Sequence, residues 1–148
     1  MSEQNSQLVT RVESYYNGDA SYGDPMLKIL EGVDSKTAIK RPADNVHSIA
    51  ELIAHLVTWE DCFLERIKGN HKSQVEQELS FDWKRIDENE KTLWRTLTTK
   101  LDKNHKEIIS VLNNEKYSTE SKKTLMIDVT EHAIYHLGQI AIIKKMVM

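Results

Sequence analysis

The spacing of apolar residues constrains this chain most, because it repeats every three to four positions over most of the length. Four long stretches carry this helical period, and they cover about residues 3–16, 49–68, 83–114 and 124–146. No stretch alternates apolar and polar residues in the way that a half-buried strand does. The pattern therefore predicts an all-α protein built as a four-helix bundle.

Short motifs indicate where helices begin and how they are connected. Ser48 and Glu51 have the spacing of a capping box, which predicts the start of the second long helix. Pro25 fits the first position of one extra short helix, and the stretch that follows that helix is expected to be irregular. The connections at about 18–23 and 71–81 are long enough to cross over the bundle rather than form tight hairpins.

Composition narrows the class of protein. The chain has 148 residues, of which 39% are hydrophobic and 29% charged, and these values fit one ordered domain over residues 1–148. The net charge of -3 and the lack of a basic stripe argue against nucleic-acid binding. The single cysteine, Cys62, excludes a disulfide framework and a cysteine-based zinc site within the chain.

The sequence also indicates the cellular compartment in which the protein is expected. No apolar run approaches the roughly 18–20 residues of a membrane span. The polar start of the chain has no leader sequence that we recognise. A single cysteine agrees with a reducing compartment. We therefore expect a cytoplasmic protein without membrane attachment.

Two histidines four residues apart are the sharpest chemical feature of the sequence. His132 and His136 would share one face of the last helix, so both rings could reach one metal ion. The spacing resembles the H-E-x-x-H motif of zinc proteases, but Ala133 occupies the position of the catalytic glutamate, which excludes that mechanism. A ferritin-like di-iron site is excluded as well, because no candidate histidine has a glutamate three residues before it.

His55 lies at the edge of the apolar stripe of the second long helix. A lone histidine in such a place is most often a core residue bonded to a backbone carbonyl. The alternative is that it faces His132 and His136 across the bundle. Three neutral imidazoles would then bind one divalent cation and leave coordination positions for water or substrate, as in catalytic zinc sites.

Three more residues of the last helix are candidates for the surroundings of this site. Asp128 lies one turn before His132 and is either a fourth ligand, a hydrogen-bond acceptor from a ring or, as we prefer, only an acidic residue near a helix start. Tyr135 either lines the pocket or, in the preferred interpretation, fills the core. Gln139 follows His136 by three residues and could orient a substrate or a neighbouring helix.

Three further side chains have simpler explanations. His105 lies on the apolar stripe of the third long helix and is interpreted as a hydrogen-bonded or half-exposed residue. Glu51 lies one turn before His55 and has the same options toward a metal as Asp128, but its capping box is the preferred explanation. Cys62 follows His55 by two turns, which is too far to bind the same ion, and it is interpreted as a small buried apolar residue.

Two histidine-bearing segments, residues 46–60 and 131–140, together resemble the DinB/YfiT-like metalloenzyme superfamily. The second segment reads H-x-x-Y-H-x-G-Q, as in one branch of the family, whereas many relatives have H-H-R-G-Q at its end. No role of the second His or the Arg of that ending carries over to this chain. Residues 23–25 and the pair Asp82-Trp83 also fit, so the likeness runs over essentially the whole chain.

The resemblance implies a four-helix bundle, commonly a homodimer, that binds zinc or nickel through His55, His132 and His136. Characterised relatives include S-transferases that use bacillithiol and maleylpyruvate isomerases that use mycothiol. The implied function is that of a metal-dependent enzyme, either a thiol-dependent S-transferase or a related hydrolase, that acts on a small electrophilic molecule. The alternative is a non-enzymatic dimeric metal-binding or stress-response module with a structural or empty metal site.

Overall fold

The structure, a computed structural model, describes residues 3–70, 82–87 and 92–148. In chain order its helices are α1 (Glu3–Asn17), α2 (Met26–Leu30), α3 (Ser35–Ala38), α4 (Ile49–Lys68), α5 (Leu93–Leu112) and α6 (Glu120–Val147), with a 3-10 turn at Glu115–Tyr117. These described ranges contain no β-strand, so the prediction of an all-α bundle is confirmed. Among the helices described, none combines the length and apolar content that crossing a membrane requires.

Helix α4 begins where its capping box predicts. The Ser48 hydroxyl accepts a hydrogen bond from the Glu51 backbone N–H (3.2 Å), and a Glu51 carboxylate oxygen accepts one from the Ser48 N–H (2.9 Å). At the other end Gly69 adopts a left-handed φ of 81°, a conformation that glycine reaches without steric cost. Local sequence therefore determines both ends of the helix that carries His55.

The third long helix begins later than predicted, at Leu93 rather than at Trp83. Asp82 and Trp83 form a turn, and the left-handed φ of 57° at Trp83 is incompatible with an α-helix. Ile86 is buried, as the spacing required, but its backbone N–H donates to a Glu51 carboxylate oxygen (3.1 Å). The predicted start is wrong because apolar residues at helical spacing can also be buried by a turn that packs on α4.

Smaller differences concern other helix ends. Helix α6 begins at Glu120, about one turn earlier than predicted. Pro25 occupies the N-cap position just before α2 instead of its first residue. The stretch expected to be irregular contains α3, where the Asp34 side chain accepts a hydrogen bond from the Thr37 N–H (2.7 Å). The predicted crossover at 71–81 lies outside the described residues.

Helix α4 packs against both α5 and α6 and forms the centre of the bundle. Its inner face is fully buried and includes the side chains of Ile49, Ile53, Leu56 and Ile67. Burial of each such side chain contributes roughly 1.5–3 kcal/mol, so these contacts hold the helix firmly in place. His55 lies on the edge of α4 that faces α6, and the packing of these two helices positions the site.

Candidate metal centre

Three histidine rings meet between α4 and α6. The Nε2 atoms of His55 and His132 are 3.1 Å apart, and those of His132 and His136 are 3.0 Å apart. One nitrogen of each ring lies within 4.8 Å of the other two. In the part of the chain that the structure describes, this is the one group of three or more His, Cys, Asp and Glu side chains that could share a metal ion. Helix packing therefore brings the three predicted ligands together.

Hydrogen bonds on the far side of two rings determine which nitrogens face the centre. His55 Nδ1 lies 2.6 Å from a carboxylate oxygen of Asp82, and His136 Nδ1 lies 2.6 Å from the side-chain carbonyl oxygen of Gln139. Because both oxygens accept, each Nδ1 carries the hydrogen and donates it. The Nε2 atoms of neutral His55 and His136 consequently hold lone pairs.

The centre holds more lone pairs than hydrogens. His132 Nε2 faces both of its neighbours but can carry only one hydrogen, which can satisfy only one of them. The other pair of nitrogens is left face to face without a hydrogen between them. Among the described residues, His132 Nδ1 is also buried without a hydrogen-bond partner. A cation at the centre would accept all three lone pairs and remove this conflict.

The spacing of the nitrogens suits a small divalent cation. Two imidazole nitrogens bound to one tetrahedral zinc at about 2.0–2.1 Å lie about 3.3–3.4 Å apart. The observed separations of 3.0 and 3.1 Å are slightly shorter than this value, so only a small outward shift of the rings is needed to admit the ion. Imidazole suits zinc and nickel, and three such ligands leave at least one coordination position open. The residues present therefore fit a mononuclear divalent metal ion.

Burial favours the neutral form of all three rings, and binding of a cation requires that form. Burial, with smaller effects of the His136 and His55 rings, lowers the pKa of His132 to about 4. Burial also lowers the pKa of His55 and of His136, although the hydrogen bonds with Asp82 and Gln139 act in the opposite direction. Protons therefore compete only weakly with a metal ion near neutral pH.

The three other candidate residues of the last helix differ in their exposure and in their distance from the histidines. Gln139 accepts the hydrogen bond from His136. Tyr135 is 66% exposed, so its assignment to the core is wrong, and its ring lies beside that of His136 at a centroid distance of 5.1 Å. Asp128 is exposed and lies more than two turns inside α6, which begins at Glu120, so its interpretation as a residue near the helix start is also wrong.

His105 and Cys62 lie away from this centre. His105 is half-buried on α5, and its ring stacks on Tyr16 of α1 with the ring centroids 3.9 Å apart. Cys62 is completely buried, as expected for a small apolar residue. Neither residue belongs to the histidine group between α4 and α6.

Three residues that sequence reasoning did not assign to the site surround His55. Asp82 accepts from its Nδ1, and Trp59 Nε1 donates to the second Asp82 oxygen (2.9 Å). The Trp83 ring stacks on His55 with the ring centroids 3.8 Å apart. No spacing rule connects Asp82 with a histidine 27 residues earlier in the chain. The one available signal is the Asp-Trp pair itself, which fits the family resemblance but carries no geometry.

Comparison with known proteins agrees with this architecture. A family model described as the DinB superfamily matches residues 23–140. No curated protein and no solved structure matches the chain. The matched span runs from just before α2 into α6 and includes all three histidines of the centre. Because the match covers well over half of the chain and both histidine-bearing helices, the chain belongs to the DinB superfamily.

Proposed function

We propose that this protein is a metal-dependent enzyme with a mononuclear site, in which His55, His132 and His136 hold zinc or nickel and leave a position for a small molecule. The main support is the convergence of three imidazole nitrogens with too few hydrogens between them. Structural zinc sites usually have four protein ligands, whereas three protein ligands and an open position are typical of catalysis. Membership of the DinB superfamily agrees with metal binding.

The residues around the centre orient and shield it. When bound, a divalent cation supplies Lewis-acid chemistry, because it lowers the pKa of a coordinated water or thiol toward neutral pH. Asp82 and Gln139 orient two of the rings through their Nδ1 atoms, and Trp83 covers one face of His55. Tyr135, exposed beside these rings, offers a hydroxyl that could hydrogen-bond a substrate at the rim of the site.

The reaction that we favour is thiol-dependent S-transfer to a small electrophile. The sulfur of a low-molecular-weight thiol forms a bond to the electrophilic carbon, the leaving group departs with the electron pair of the broken bond, and the thiol proton passes to solvent. The thiol has to come from a second molecule, because the only cysteine, Cys62, is buried in the bundle. Hydrolysis by an activated water is the related reaction that the same site would support.

Metal binding is expected to require each of the three histidines. The purified protein should bind one equivalent of zinc or nickel, and His55→Ala, His132→Ala and His136→Ala should each weaken binding at least about 100-fold. Elemental analysis after dialysis and competition with a chelator measure this. His105→Ala is the matched control, because this half-buried histidine stacks on Tyr16 and should be dispensable. Equal metal content in all of these proteins would contradict the proposed site.

Activity distinguishes the enzyme from a non-enzymatic metal-binding module. Metal-loaded protein can be incubated with a panel of small thiols and electrophiles, with products identified by mass spectrometry. Turnover that needs both thiol and metal and is lost in His132→Ala would support S-transfer, and turnover without a thiol would support hydrolysis. Stoichiometric metal without turnover would favour the non-enzymatic module.

We also propose that the protein is a homodimer. Several large apolar side chains lie within about 100° of one another around the axis of α6. They are Ile127, Ile142 and Met146, with exposures of 43%, 63% and 62%. The exposed charged residues Asp128, Glu131 and Lys145 lie on the same face of α6, so a second copy would contact apolar and charged side chains together, as at many protein–protein interfaces.

The mass in solution tests this association. Light scattering is expected to give twice the chain mass of 17.1 kDa, and Ile142→Asp is expected to give a single chain because a charge in an apolar interface is unfavourable. Ser110→Asp, at an exposed position of α5, is the control and should remain dimeric. A wild-type mass of one chain would refute the dimer.

A further inference from the structure

The carboxylate of Asp82 receives three hydrogen bonds beside the proposed metal centre. One oxygen accepts from His55 Nδ1 (2.6 Å) and from the Trp83 backbone N–H (3.0 Å), and the other accepts from Trp59 Nε1 (2.9 Å). The Asp82 side chain is only 12% exposed. A nearly buried carboxylate with three donors has little freedom to turn, so its contact with His55 has a defined geometry.

The backbone next to this carboxylate is strained. Trp83 has a φ of 57°, and within the described ranges no other residue except glycine has a positive φ. Such a conformation is rare for a bulky residue and persists only where the surrounding structure enforces it. The Trp83 ring stacks on His55 with a centroid distance of 3.8 Å and on His47 with one of 4.1 Å. These contacts offset the strain and hold the turn against α4.

Asp82 and Trp83 therefore both hold His55, one by a hydrogen bond and the other by ring stacking. The hydrogen bond from Nδ1 to Asp82 selects the tautomer of His55 whose Nε2 has a lone pair. The stacked Trp83 ring restricts rotation of the imidazole about its bond to Cβ. Asp82 does not belong to the group that could ligate the ion, so its effect on the centre passes through His55.

We propose that Asp82 is a positioning residue of the metal centre, which holds His55 with its Nε2 lone pair directed at His132 and His136, and that the strained Trp83 keeps Asp82 in place. The inference rests on the proposed metal site. A carboxylate that accepts from a ligating imidazole fixes its orientation and raises its basicity. Loss of such a partner typically weakens metal binding about 10–100-fold.

Zinc affinity tests this role without an activity assay. Competition with a chelator of known affinity would compare the wild type with Asp82→Asn, which keeps the size of the side chain but not its charge. We expect Asp82→Asn to bind zinc about 10–100-fold more weakly. Asp87→Asn is the matched control, because Asp87 is a 71% exposed carboxylate of the same segment, paired with Arg85, and its loss should leave zinc affinity unchanged. Wild-type affinity in both Asp82→Asn and Asp82→Ala, which has no acceptor at all, would overturn the inference.

The same titration separates failure of this inference from failure of the proposed site. If the wild type binds no zinc, the metal centre itself is refuted. If the wild type binds zinc and His55→Ala binds it much more weakly, but Asp82→Asn and Asp82→Ala both match the wild type, only the positioning role is refuted.

The tautomer of His55 provides a second measurement, made on metal-free protein. Long-range proton–nitrogen NMR spectra distinguish a hydrogen on Nδ1 from one on Nε2, and we expect Nδ1–H in the wild type. Asp82→Ala removes the acceptor and should allow the Nε2–H form to appear, and a dispersed spectrum would show that the variant is folded. A folded variant with an unchanged tautomer would overturn the inference. If Asp82→Ala does not fold, Asp82→Leu, which has a similar size and also lacks an acceptor, provides the same comparison.

Discussion

As the pH rises from 4.5 to about 8, the wild type is expected to lose stability because Glu60 ionises. Replacement of Glu60 by glutamine is expected to abolish this pH dependence. Glu60 is 2% exposed, and its Oε1 atom is buried without a hydrogen-bond partner among the described residues. Burial, followed by the charge of Asp61, raises the pKa of Glu60 from 4.5 to about 8. A hydrogen bond with Asn104 favours the ionised form but offsets this only in part.

The direction of the effect follows from proton linkage. The folded state holds the Glu60 proton more tightly than the unfolded state does. Its contribution to stability is therefore complete below pH 4.5 and is lost as the pH rises through about 8. Each pH unit within this window lowers the free energy of unfolding by about 1.4 kcal/mol, up to about 5 kcal/mol in all. Glutamine has the shape of the protonated side chain and does not ionise, so the variant lacks this slope.

Urea unfolding of metal-free protein between about pH 5 and pH 8 measures the effect. The quantity to compare is the difference in free energy of unfolding between the wild type and Glu60→Gln. This difference cancels the slope of opposite sign that the buried histidines contribute to both proteins, because their pKa values are lowered by burial. Glu13→Gln, at an exposed position of α1, is the control. A difference that stays constant over this pH range would contradict the raised pKa.

Replacement of Glu51 by alanine is expected to lower the free energy of unfolding by about 3–5 kcal/mol. The Glu51 carboxylate is buried, lies 2.6 Å from Arg41 Nη2 and accepts from the backbone N–H groups of Ser48 (2.9 Å) and Ile86 (3.1 Å). Burial opposes its ionisation, but Arg41 and the two N–H donors outweigh burial and lower the pKa of Glu51. Alanine would leave a largely buried guanidinium and two N–H groups without their acceptor.

Chemical unfolding at neutral pH measures this loss. Glu51→Gln keeps the size of the side chain and one acceptor oxygen, so it should destabilise the protein less than alanine does. A cycle with Arg41→Ala should show a coupling energy of about 0.5–3 kcal/mol. Glu31→Ala, at an exposed position, should change stability little. A loss of less than about 1 kcal/mol in Glu51→Ala would show that the three contacts matter little.

Local signals were sufficient to predict helix α4. The capping residues Ser48 and Glu51 and the terminal Gly69 lie within a few positions of the ends that they determine, so the sequence alone reveals them. The start of α5 was not predictable in the same way. Trp83 and Ile86 have helical spacing, but they are buried in a turn whose shape depends on contacts with α4. Periodicity reports which residues are buried and not which backbone buries them.

The candidate metal centre was predictable only in part, because one of its histidines approaches through a tertiary contact. The spacing of His132 and His136 places both rings on one face of a helix, which is a local property. The approach of His55 is a tertiary contact, so the residue pattern left it as an alternative and the family resemblance favoured it. The hydrogen bond from His55 to Asp82 was not predictable, because it joins residues 27 positions apart. It also depends on a turn at a place where the apolar spacing predicts a helix. The exposure of Tyr135 depends likewise on which neighbours α6 has.

The hydrogen bonds at the Nδ1 atoms of His55 and His136 have a consequence for the thermodynamics of metal uptake. Asp82 and Gln139 hold these two rings before any ion arrives, so the rotamer entropy of the rings is lost during folding and not during binding. Such a preorganised centre should bind its ion with little rearrangement of the chain. Dehydration of the ion would then be the main barrier to its capture, and selectivity among divalent ions would follow from how closely each one fits a rigid triangle of nitrogens.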